Sequence, residues 1–253
     1  YWRPLTSVAL HVGFRLGDGA PWGFHAVSLA LHLGATALAF LLALRLTADR
    51  DAALFAGLLF GVHPVHVESA AWISAVNDPL HGLACLAAML AFLSWRERGS
   101  PGLPVAAPAL FLAALLAKEN AAALVPLLLA LDFGRRRGDA PARARDRLRP
   151  FARAWLPFAA VLLVYAGLRV AVFGEAAAGF DRVTTVLNVS ALREWSLRVE
   201  MLGGYLGLLV WPAELNLFRE VRAALEPGTF WPALGWIALW TVALVVLLRR
   251  PGE

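Results

Sequence analysis

Charge and sulfur are scarce in this sequence. Asp, Glu, Lys and Arg make up 16% of its 253 residues, against roughly 25% in soluble domains. With 60% of residues hydrophobic, that deficit excludes an ordinary water-soluble globule. One cysteine, Cys85, leaves no internal disulfide framework. Lysine is nearly missing too: Lys118 stands alone among 23 Lys and Arg residues. The alternating segments of about ten residues that build a membrane barrel are absent. The formal charge of +5 sits in an Ala-, Gly- and Arg-rich composition and is not read as a nucleic-acid surface.

What the sequence does have is long apolar runs. Backbone polar groups find no partners in lipid, so such runs must span as helices. The fold class expected is all-α, a polytopic transmembrane helical bundle of about seven spans with interfacial or re-entrant helices added. Spans are predicted near 23–46, 52–62, 80–95, 155–173 and 230–248, with two short ones inside 103–133. Residues 5–16 suit an interfacial helix, and Asp49 or Asp51 is the candidate N-cap before the second span. His25 and His32 lie seven apart on the first span and are expected to pack or hydrogen-bond within the bundle rather than bind a ligand. The apolar run 201–211, rich in glycine, reads as interfacial, re-entrant or closely packed.

Arginine distribution gives orientation. The segments 45–51, 96–98, 134–153 and 249–250 hold fourteen arginines and are assigned to the cytoplasm. The opposite side holds seven, balanced by seven acidic residues within 174–229 alone. The chain is therefore expected in a bacterial inner membrane, or in the endoplasmic reticulum membrane if eukaryotic, with its functional face toward periplasm or lumen.

On that face falls the most informative stretch, His63 to Pro79, HPVHVESAAWISAVNDP. It carries His63, His66, Glu68 and Asp78, with no Lys or Arg. Polar residues between membrane-length apolar segments are costly unless they line a watered site. The plain alternative is a solvated loop punctuated by Pro64 and Pro79. A second polar interruption, Lys118-Glu119-Asn120, splits 103–133 into two halves too short for full spans. Its charges would lie below the membrane surface and need a polar cavity, or else Lys118 and Glu119 neutralise each other. Arg169, near the outer end of a span, either snorkels to the headgroups or clamps a phosphate.

Taken in order, several segments carry a resemblance: Tyr1-Trp2-Arg3-Pro4-Leu5-Thr6 (with Trp2 inserted relative to the pattern), Phe24-His25 through His32, His63-Pro64-Val65-His66-Val67-Glu68 with Trp72, then Asp78 and Lys118-Glu119. Together they resemble the polytopic GT-C glycosyltransferases, in particular the membrane part of the TPR-carrying transmembrane O-mannosyltransferases and their bacterial relatives. The resemblance covers most of 1–220. It implies one GT-C-like domain over 1–253, transferring a mannose-like sugar from a polyprenyl-phosphate donor to a hydroxyl of a protein or glycan acceptor. It also implies a general base in a first outer loop upstream of Tyr1. The chain is thus expected to be a fragment, without the first span or the C-terminal repeats, and incomplete for catalysis.

Such chemistry assigns roles. Lys118 and Arg169, with Glu119 and Arg3 beside them, would bind the lipid phosphate, because stabilising a leaving anion is usually the largest catalytic term. Glu68 and Asp78 would contact sugar or acceptor. His63 and His66 would donate hydrogen bonds or, with Glu68, hold a divalent cation. No cofactor beyond that cation is implied. The competing readings are a transporter or ion-handling protein using His63, His66 and Glu68, and a non-catalytic scaffold. Few polar residues continue through the inner half of the bundle, which argues against a transport path.

Overall fold

A computed structural model describes residues 2–99, 102–135, 144–174, 191–212, 215 and 230–249. Every element among them is a helix or a single helical turn. The chain divides into two compact units, Tyr1–Ala176 and Ala177–Glu253.

In the first unit, helix α1 (Pro4–Gly17) starts with proline in its first turn, where no N–H is needed. It ends at Asp18 and Gly19, both left-handed (φ 48° and 82°), which turn the chain back into α2 (Pro21–Thr47). Three glycines let the two backbones touch. A Cβ on Gly23 would lie 2.4 Å from the Gly13 carbonyl oxygen and 2.5 Å from the Gly17 nitrogen. Helix α3 (Arg50–Val62) packs along α2. Asp49 is its cap: the carboxylate accepts from the backbone N–H groups of Asp51 at 2.8 Å and Ala52 at 3.1 Å.

The stretch from His63 is not an open loop. Pro64–His66 is a 3-10 turn, Val67–Ala71 is a short helix (α4), and Ile73–Ala75 is another 3-10 turn. Helix α5 (Asn77–Glu97) follows and takes Pro79 into its first turn, the one helical place that tolerates it. The break at His63 bends the α3 direction by 42°. Helix α6 (Ala106–Ala117), a 3-10 turn (Glu119–Ala123) and α7 (Leu124–Arg135) realise the expected pair of short halves. Helix α8 (Ala144–Phe173) begins earlier than expected, since part of the basic stretch is helical; 136–143 lies outside the described residues.

The core of this unit lies between α5, α6, α7 and α8. Phe92, Phe111, Phe158, Leu93, Leu115 and Leu128 are fully buried there. Trp155 and Phe158 pack on Phe92 with ring centroids 5.3 and 5.8 Å away. Large apolar residues such as Leu29, Leu33, Phe55, Leu58 and Leu163 point outward, while small ones line the α1–α2 contact. Small residues at a close helix–helix contact, with large apolar ones facing outward, is the arrangement expected of helices packed in lipid.

The second unit pairs α9 (Ala191–Leu208) with α10 (Phe230–Arg249). Gly203 faces Ala233 and Gly207 faces the Trp236 indole, so the glycine-rich run is closely packed. Trp240 Nε1 donates to the Leu206 carbonyl at 3.2 Å.

Three helical segments among the described residues are long and apolar enough to cross a membrane: Pro21–Thr47, Ile73–Glu97 and Pro150–Phe173. The bent pair Arg50–Val62 with Pro64–Ala71 makes a fourth if taken as one span. By length and composition that is fewer than the expected seven. Ala106–Ala117 and Phe230–Ala243 are apolar but shorter. The chain is an all-α integral membrane protein.

Candidate functional site

The antiparallel course of the helices sorts charged residues to opposite ends of the first unit. At one end Arg45 Nη1 donates to Glu97 Oε2 at 2.8 Å and to Ser94 Oγ at 2.6 Å. There too Arg96 pairs with the buried Asp132, its guanidinium stacked over Phe92 and Trp95. These residues close the C-terminal ends of α2, α5 and α7. At the other end lie the start of α1, the start of α5, the α6–α7 turn and the last turn of α8. Most of the site residues expected from sequence converge here.

Lys118 terminates α6 in an extended conformation that interrupts the apolar run. Its ammonium donates to Asp78 Oδ1, in the first turn of α5. Glu119, the next residue, receives a two-pronged bond from Arg3: Nε to Oε2 at 3.1 Å and Nη2 to Oε1 at 2.7 Å. The local Lys118–Glu119 neutralisation is therefore not what forms; each residue reaches a distant partner. Thr6 Oγ1 donates to the Ala117 carbonyl at 3.1 Å and fixes α1 against the same turn. Burial raises the Glu119 carboxyl, but the Arg3 hydrogen bonds, its own backbone amide and the charges of Arg3 and Arg169 hold it below the usual carboxylate range.

Arg169 is buried, 8% exposed, so it does not snorkel. Its Nη1 lies 3.5 Å from the Tyr165 hydroxyl, and its guanidinium sits 5.9 Å and 5.3 Å from the Tyr165 and Phe173 ring centroids. Trp2 also packs on Tyr165, with ring centroids 6.4 Å apart. Arg3, Lys118 and Arg169 thus gather as three cations against Asp78 and Glu119. The charges of Arg3 and Arg169 both act on Glu119, and charged donors gathered in this way are the groups that bind anions most strongly.

His63, His66 and Glu68 do not assemble as a metal-ligand triad. Among the described residues no three His, Cys, Asp or Glu side chains meet at a point suited to a metal ion. His63 Nδ1 accepts from the Val65 N–H at 3.2 Å. His66 packs on Phe60 at 4.5 Å and on His32 at 5.2 Å. His32 Nε2 donates to the Gly61 carbonyl at 3.0 Å, a bond within the bundle as expected from its place on α2. Glu68 is half-buried on α4.

Two contributors were missed in sequence. Tyr165 bridges Trp2 and Arg169; its spacing of four before Arg169 was the available signal. His81 lies within electrostatic reach of Lys118, Asp78 and Glu119, beside the Ala114 carbonyl, and follows Asp78 by three on the same helix face. Of the 174–229 stretch expected near this site, 175–190, 213–214 and 216–229 lie outside the described residues.

An all-helical membrane domain with a cationic cluster at one end of its bundle is the class defined so far. Comparison with known proteins narrows it. The chain is 40% identical over 158 residues to Protein O-mannosyl-transferase Tmtc2 of Drosophila melanogaster, 58% of this chain and 16% of that protein. It is 40% identical over 126 residues to Protein O-mannosyl-transferase Tmtc1 of the same fly, covering 47% and 14%. With mouse Protein O-mannosyl-transferase TMTC1 it shares 32% over 166 residues, covering 58% and 16%. The matched part is thus about a sixth of the length of these relatives. No protein-family model and no solved structure matches. The resemblance drawn from the sequence motifs is thereby shown: this chain is similar to part of proteins named O-mannosyl-transferases.

Proposed function

We propose that the chain forms the membrane core of a glycosyltransferase that moves a mannose-class sugar from a polyprenyl-phosphate to a hydroxyl acceptor on the non-cytoplasmic side. The observation that carries this reading is the cluster of Arg3, Lys118 and Arg169 at the end of the bundle opposite the Arg45 and Arg96 pairs. Glycosyl transfer breaks the bond from the sugar C1 to the phosphate oxygen, and the phosphate leaves with the electron pair. The acceptor oxygen bonds to C1, and its proton passes to a base. Lys118 and Arg169 stabilise the departing phosphate, and Arg3 supports them. Asp78 and Glu119 hold Lys118 and Arg3 in place. That position makes Asp78 a positioning residue rather than a sugar contact. Among the described residues, Glu68 is the carboxylate we assign to meet the sugar or acceptor.

The test uses the full-length protein in proteoliposomes, with radiolabelled polyprenyl-phosphate mannose and a protein acceptor. Lys118→Ala should lower transfer by about 10²–10³-fold, the range seen when one anion-stabilising donor is removed. Glu68→Gln should lower it by about 10–100-fold, the loss of one hydrogen bond to a charged group. Normal transfer by both variants would overturn the assignment.

A further inference from the structure

We infer a second lipid site at the opposite end of the first unit, built to hold one anionic phospholipid by its headgroup. A cavity of about 550 Å³ opens between the end of α5 and the start of α6, within the size range of small-molecule sites. Ala91, Trp95, Leu103, Val105 and Ala107 line it, with Arg98 beside them. Trp95 is anchored by its Nε1, which donates to the Gly102 carbonyl at 3.1 Å. Leu103 and Val105 are exposed, 58% and 72%, an unfavourable state in water and an ordinary one against acyl chains.

Charge identifies the occupant. Arg45 and Arg96 at this end each have a carboxylate partner, Glu97 and Asp132. Among the described residues no carboxylate pairs with Arg98, which is exposed beside the cavity. An arginine next to an apolar pocket, with an indole at its wall, complements a lipid phosphate with its chains. This end is also the arginine-rich one, where a cytoplasmic leaflet offers anionic lipids. The site is separate from the Lys118 cluster and does not depend on the transferase reading.

The test is native mass spectrometry of the full-length protein in detergent, titrated with phosphatidylglycerol or with phosphatidylcholine. One phosphatidylglycerol should be retained in preference to phosphatidylcholine, and Arg98→Gln should weaken that retention about fivefold, the usual worth of one cation near a lipid surface. Arg50→Gln, an exposed arginine outside the cavity lining, should leave retention unchanged. Added inorganic phosphate should not displace the lipid. Equal loss in both variants would mean diffuse surface charge, and no loss in Arg98→Gln would mean no such site. Displacement by inorganic phosphate would mean a soluble anion. Each of these overturns the inference.

Discussion

Arg3, Lys118 and Arg169 are each held differently, and the differences set what substitution does. The Arg3–Glu119 pair is part-buried, 21% and 25% exposed at the side chains, so solvent still screens it in part. Glu119 titrates below its ordinary value when folded. Its contribution to stability is therefore complete above the unfolded carboxylate pKa, about 4.3, and fades as pH falls through the lower folded value. The melting temperature of the wild type minus that of Glu119→Gln should be flat from neutral pH to about 5 and shrink in stronger acid. A difference that collapsed between pH 7 and 6 would contradict the pairing. The Arg96–Asp132 pair is more deeply placed, with Asp132 at 7%. Asp132→Ala removes the carboxylate from a part-buried ion pair and should cost up to about 3–5 kcal/mol, while replacing both residues with apolar ones should recover most of it. Thermal unfolding in detergent distinguishes the two.

At the scale of elements, the α1–α2 contact depends on backbone touching backbone. Gly23→Ala places a methyl 2.4 Å from the Gly13 oxygen, so α1 must shift or detach. Protease cleavage near Asp18 should become faster while the α5–α8 core stays folded. Helix existence was legible in the sequence because apolar runs, prolines and Asp49 are local signals: the short halves of 103–133 and the cap at Asp49 form as expected. The pairings were not legible. Lys118 meets Asp78 forty residues away and Arg3 meets Glu119 116 residues away. Which carboxylate a cation finds depends on which helix ends pack side by side, and periodicity does not carry that. The same limit explains His63–Pro79. Its polar composition reads as loop, yet 3-10 turns and α4 absorb its backbone hydrogen bonds.

For the molecule as a whole, sidedness is the property that separates the two charged ends of the first unit. After Cys85 is replaced by Ser, single cysteines at Asp18 and Val67 should label from the compartment opposite the one that labels Asp51→Cys. All three lie at exposed positions: the first two follow α1 and begin α4, and the last opens α3. Labelling of all three from one side would remove the orientation on which the proposed transfer depends.

The crossed pairs of Lys118 with Asp78 and Arg3 with Glu119 have an electrical consequence. Lys118 and Arg3 each carry a counter-ion supplied by another part of the chain, so the three cations of the resting cluster exceed its two carboxylates by a single formal charge. On the proposed function, a monoanionic guest would enter by exchanging with a carboxylate rather than by adding to a bare positive pocket. Binding by exchange is far less sensitive to ionic strength than binding by long-range attraction, and it favours guests whose geometry fits over those that are merely negative.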